Sequence, residues 1–379
     1  MRSGRPRPGW SGNTKSLTTS IHERERPMDY VTLTVIGVTT LGAAVAIAPS
    51  IKVSLDLAPY MYTNTRCSAK LGLILKPKTY NEIIAASTER EQMAILEDTY
   101  YGPIMEKADS PERISELMEK DLYDTYLWLK DVVPKNMRAL IGVLVKRFEI
   151  ADIKRILNAI RKGEDTPEPR YVGSEELRTM LLSVKDEQSL MGAFEGTEYQ
   201  KIFSETDLKA VAIINSKLDL HYIASVRDFL AKEGQKEEVM AFKEYWKNTI
   251  DLANARLLLR AIASRKKDMD FISGGSLDAT SLASVGDKNQ FETLMNDSDY
   301  ASAITSTEDS DVEMAFFRHL NTMGRQIAAK YSLKSGPVVR FIIQKELEIR
   351  NLNVLFKLKR EGFDKDEISR FIIIDENKV

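Results

Sequence analysis

Glu149 and Asp152 are three residues apart, a spacing that puts both carboxylates on one side of a helix, within reach of each other. Such a pair could carry general acid–base chemistry, with one partner protonated and the other ionised. The surrounding segment is written three times. EIADIKRILNAI begins at Glu149, DLANARLLLRAI at Asp251 and EIRNLNVLFKLK at Glu348. The second and third copies carry Asn254 and Asn351 where the first has Asp152, which counts against a shared acid–base role. The alternative use is structural: carboxylates and amides at the edge of an apolar stripe can cap a neighbouring helix or bond an arginine. The stripe is Ile150, Ile153, Ile156 and Leu157, matched by Leu252, Ala255, Leu258 and Leu259, then by Ile349, Leu352, Leu355 and Phe356.

A second motif recurs roughly fifty residues ahead of a copy of the first. LEDTYYGPI (Leu96–Ile104), FEGTEYQKI (Phe194–Ile202) and MNDSDYASA (Met295–Ala303) align without a gap and place Tyr101, Tyr199 and Tyr300 in register. These tyrosines are expected to anchor helix ends, ring buried and hydroxyl bonded. Two motifs sharing one period of about one hundred residues mark three versions of one helical unit.

Other chemistry is sparse. His22, His221 and His319 are far apart and form no metal-ligand spacing, and Cys67 is the single cysteine. That fits a reducing compartment and excludes an internal disulfide framework. There is no phosphate-binding glycine loop, no dinucleotide fingerprint and no nucleophile elbow, so no cofactor and no catalytic residue is assigned. SGGS at Ser273–Ser276 reads as a flexible junction. Net charge is −2 over 379 residues, and no basic-aromatic motif points to nucleic acid. Locally, Lys130–Lys162 holds nine basic residues against three acids. It reads either as a solvated helix face or as a docking face for an acidic partner or phospholipid headgroups. Lys146, Arg147, Lys154 and Arg155 are the candidate partner-binding residues.

The elements that must position these residues are helices. Tyr80, Ile83, Ile84, Met93, Ile95 and Leu96 recur at helical spacing, and Ser110-Pro111-Glu112 starts a long helix. Polar junctions at 162–173 and 266–276 separate the copies, and no long alternating segment argues for a sheet. Arg370–Ile374 is open to an extended reading. The fold class is all-α, with 1–57 as a polar tail plus an apolar segment, and helical lobes at 58–165, 166–268 and 269–379. Val31–Ala48 runs eighteen residues without a charge. It is a membrane anchor, a cleaved signal peptide or an apolar helix packed on protein. Met28 is an alternative start.

The Y-x-Y-x-N-x-R stretch at Tyr60–Arg66, the LEDTYYG segment and the terminal KELEIRNLNVLFKLKREGF form an ordered set. Over roughly 58–379 the chain resembles the C subunit of the archaeal A-type ATP synthase, counterpart of the d subunit in the vacuolar ATPase. The resemblance implies a pseudo-threefold funnel of helical lobes on the cytoplasmic face of the cell membrane. Its partners would be the proteolipid rotor ring and the D and F subunits of the central stalk. Its role would be to transmit torque, without catalysis, for ATP synthesis or ion transport. The apolar start departs from the many members that begin near Tyr60, and is expected to insert in the bilayer near the ring. A membrane-tethered helical scaffold unrelated to the ATPase is the alternative, and an enzyme with a dispersed site a third.

Overall fold

The structure, a computed structural model, describes residues 54–108, 110–265, 269–304, 306 and 308–375. The described residues from Asp56 onward form one compact unit. Val31–Ala48 lies outside the described residues. Among those described, no helix is long and apolar enough to cross a membrane. The described residues are all-α, without a strand.

A helix over residues 54–71 (α1) leads into α2 (Pro77–Ala85), α3 (Glu89–Glu97), α4 (Gly102–Met105), α5 (Pro111–Val132) and α6 (Arg138–Lys162). Next come α7 (Glu175–Leu182), α8 (Glu187–Ala193), α9 (Gln200–Ser204), α10 (Val211–Lys232) and α11 (Glu237–Ser264). The last are α12 (Ala279–Ser284), α13 (Lys288–Asn296), α14 (Asp309–Lys330), α15 (Gly336–Arg360) and α16 (Lys365–Arg370). The helical stretch read from Tyr80 to Leu96 is broken in two because Thr88 caps α3, accepting from the Glu91 N–H. Asp186 and Asp287 do the same for α8 and α13, so the capping residues also follow the period. Ser110 caps α5, as its sequence suggests.

Among the described residues six helices reach 22 residues or more: α5, α6, α10, α11, α14 and α15. Each packs against the next in that order and α15 returns to α5, so the six close a ring, across which α11 also packs directly on α15. Joints between them use buried polar groups as well as apolar ones. The Trp246 indole N–H donates to the Ile223 carbonyl, Asn248 to Phe316, and Arg340 and Gln344 to Asn321.

The short helices fill outer cores. Ile153, Ile156 and Leu157 of α6 pack with Leu181, Leu190, Phe194, Tyr199, Ile214 and Leu218. Leu258 and Leu259 of α11 pack with Leu282, Phe291, Met295, Tyr300 and Phe316. A third, larger cluster joins Leu352, Leu355 and Phe356 of α15 to Ile83, Leu96, Tyr101 and Met118. The apolar stripe of each copy therefore faces the tyrosine motif of the next, and the stripe of the last copy faces that of the first. After α16, residues 372–375 are neither helix nor strand, with Ile372 and Ile373 buried.

Candidate functional site

The repeated residues that could have done chemistry are bonded to one another. The Tyr199 hydroxyl donates to Glu149 at 2.6 Å, Tyr300 to Asp251 at 2.8 Å and Tyr101 to Glu348 at 2.6 Å. The three rings are almost fully buried. Burial, and then the neighbouring carboxylate, pushes each phenol far above its ordinary value, so all three act as neutral donors. In each motif the hydroxyl of Thr99, Thr197 or Ser298 donates to the carbonyl three residues back and accepts from the tyrosine N–H.

The second residue of each acid motif holds the loop after its helix. Asp152 accepts the N–H groups of Arg170 and Tyr171. Asn254 exchanges two hydrogen bonds with Ile272, and Asn351 does the same with Ile373. An amide can both donate and accept, which suits a peptide group. Asp152 is accept-only and adds Arg155 at 2.6 Å. With Tyr199 on Glu149 and the loop on Asp152, the pair is engaged in fastening the fold.

SGGS is not a loose junction. Asp251 accepts from the N–H groups of Ser276 and Leu277, at 2.8 and 3.0 Å. Gly275 lies so close that a Cβ there would sit 1.9 Å from Asp251 Oδ1. A glycine is needed for this approach, and the serine N–H supplies a bond.

A half-open cavity of about 680 Å³ lies among the long helices, lined by residues from all six. On its wall Glu346 of α15 accepts from Tyr126 of α5, Arg147 of α6 and, at 3.0 Å, Tyr245 of α11. One carboxylate thus ties four ring helices together. Burial and the Glu346 charge hold the Tyr126 and Tyr245 hydroxyls protonated. Glu119 also lines the cavity, its pKa raised by burial although Arg155 opposes the rise.

Of the four basic residues singled out from sequence, Arg147 and Lys154 line this cavity, while Lys146 and Arg155 do not. Each forms an ion pair within the chain: Lys146 with Glu198, Arg147 with Glu346, Lys154 with Asp219 and Arg155 with Asp152. The cavity also takes in Arg256 and Arg260 of α11 and Arg350 of α15, which sequence reasoning passed over. The available signal was that Arg256 and Arg260 are one turn apart, off the stripe of Ala255, Leu258 and Leu259.

Among the described residues no group of three or more His, Cys, Asp or Glu could hold a metal ion. Cys67 is buried, its thiol pushed up to about 12 by desolvation, so it is no nucleophile at neutral pH. His221 bonds Glu198 at 3.1 Å, and His319 lies against the Tyr300 ring. His22 lies outside the described residues.

Residues 63–371 match the family described as ATP synthase (C/AC39) subunit. The chain is similar to the A-type ATP synthase C subunit of Methanocaldococcus jannaschii, with 25% identity over 90% of this chain and 93% of the relative. It is 26% identical to that of Methanobrevibacter smithii over 91% of this chain and 95% of the relative. For that of Pyrococcus furiosus the identity is 25%, over 91% and 99% respectively.

Proposed function

Because the chain belongs to the ATP synthase (C/AC39) subunit family, we propose that it is the non-catalytic rotor subunit that couples the central stalk to the membrane ring. It seats the tip of the stalk, formed by the D and F subunits, in the cavity of the six-helix ring. It rests on the proteolipid ring at the cytoplasmic face of the membrane. Torque passes through it in either direction, for ATP synthesis or for ion transport. The three repeats act as three lobes around a common axis. The first residues, including 31–48, add a membrane attachment. Lys146, Arg147, Lys154 and Arg155 belong to the partner-facing surface, with Arg147 and Lys154 inside the cavity.

The observation that carries this reading is the closed ring with its cavity of about 680 Å³. A torque coupling must be stiff, and close-packed helices transmit strain with little compression. The polar joints at Glu346, which is half-buried, and at the buried Asn248 and Asn321 add directional links that resist sliding.

The test is to fill the cavity. Ala253 lines it, so Ala253→Trp should leave the helical content unchanged by circular dichroism. It should strip the stalk subunits from complexes isolated from solubilised membranes and abolish ATP-driven ion transport. Intact coupling in a folded Ala253→Trp variant would overturn the reading.

A further inference from the structure

The charges lining the cavity are unevenly satisfied. Arg147 is neutralised by Glu346, and Lys154 by Asp219, all four on the cavity wall. The face made by α11 and α15 differs. Arg256 and Arg260 are exposed there, one helical turn apart, with Arg350 on the neighbouring helix. Arg256 pairs with Glu313 at 2.8 Å. Arg260 has no ion-pair or hydrogen-bonding partner for its guanidinium among the described residues. Arg350 contacts no carboxylate directly. It lies over the Phe317 ring at 4.6 Å, and its guanidinium donates to the Phe371 carbonyl at 2.6 Å, the Asn351 side-chain oxygen at 3.2 Å and the Met314 sulfur at 3.0 Å. Three guanidiniums therefore share one ion-paired carboxylate. Around them the same wall is apolar, through Leu252 and Leu257 of α11 and Ile349 of α15, with Leu320 of α14 beside them.

We propose that the stalk segment seated in the cavity is amphipathic and acidic, and that it sets its carboxylates against the Arg256, Arg260 and Arg350 face. This rests on the stalk-socket reading above. A guanidinium presents a planar fork that matches a carboxylate with two parallel hydrogen bonds. Arg260 has that fork free, whereas Arg350, whose two terminal nitrogens already donate within the chain, adds positive charge from a fixed position. Complementary charge on one wall only fixes the rotational register of an inserted helix, and register is what a torque coupling requires. A free phosphate would satisfy the arginines but leave the apolar part of the wall unused.

The experiment compares Arg260→Glu, Arg260→Gln and Ala253→Trp in complexes isolated from solubilised membranes. Retention of the stalk subunits is measured across a salt series. Arg260 has no internal partner to lose, and circular dichroism checks the fold. Arg260→Glu should weaken retention about tenfold and flatten its salt dependence, with Arg260→Gln in between. Loss of the stalk with Ala253→Trp but unchanged retention in both Arg260 variants would keep the socket and overturn the acidic face. Retention in all three would overturn both. Saturable binding of inorganic phosphate by the isolated chain, lost in Arg260→Gln while stalk retention is unaffected, would assign the arginines to phosphate and overturn the proposal.

Discussion

Asp251 shows how one repeated residue is used. It is fully buried and accepts three hydrogen bonds, from Ser276, Leu277 and Tyr300. Burial raises its pKa, and those donors pull it back. A buried carboxylate tolerates this only while every donor stays in place. Gly275→Ala would drive a Cβ into Oδ1, so either the loop or the carboxylate must move. The expected cost is about 1–3 kcal/mol, read as a lower urea midpoint, whereas Gly192→Ala, whose Cβ would meet nothing within 4 Å, should cost little. The acid and the tyrosine were legible in the sequence as repeated residues. Their bond was not, because it joins positions some fifty residues apart. Gly275 was misread for a related reason. A glycine pair in a polar stretch looks the same whether the backbone is free or pressed against a carboxylate.

At the scale of elements, the period extends to the way the long helices stop. α6 ends at Gly163 with φ 68°, and α15 is followed by Gly362 with φ 83°. Both are in the left-handed region, where a glycine lets the chain turn out of the helix without strain. The equivalent residue after α11 is Arg265, with φ 54°, the one non-glycine residue in this region among those described. Its side chain is exposed. Arg265→Gly should therefore stabilise the protein by about 1 kcal/mol, seen as a higher melting temperature, with partner binding unaffected. A neutral or destabilising effect would mean that the arginine makes a contact of its own. Helix existence was readable from apolar spacing and from Ser110. The break at Thr88 was not, since the apolar period runs through it and only the cap interrupts it.

At the scale of the molecule, the ring closes by a long-range exchange. Tyr199 and Tyr300 meet acids some fifty residues earlier in the chain, but Tyr101 meets Glu348, 247 residues later. Glu348 also accepts the Leu75 N–H, 273 residues away. The last copy's helix therefore completes the first copy's core. No sequence pattern shows this, because repeats in a line and repeats in a closed ring share one period. The seam carries an extra buried cation. Lys345 donates to Tyr101 at 2.8 Å, forms ion pairs with Asp121 at 2.8 Å and Glu348 at 3.3 Å, and lies against the Tyr100 and Tyr101 rings. Lys345→Met keeps most of the volume but leaves two carboxylates without their cation, at a cost of about 3–5 kcal/mol. The loss should be local to the seam. Amide hydrogen exchange is expected to quicken in α2–α4 and in the second half of α15, at opposite ends of the chain, while α7–α9 stay near wild-type. Uniform quickening would show that the ring unfolds as one unit, and unchanged exchange would show that the lysine carries none of the closure.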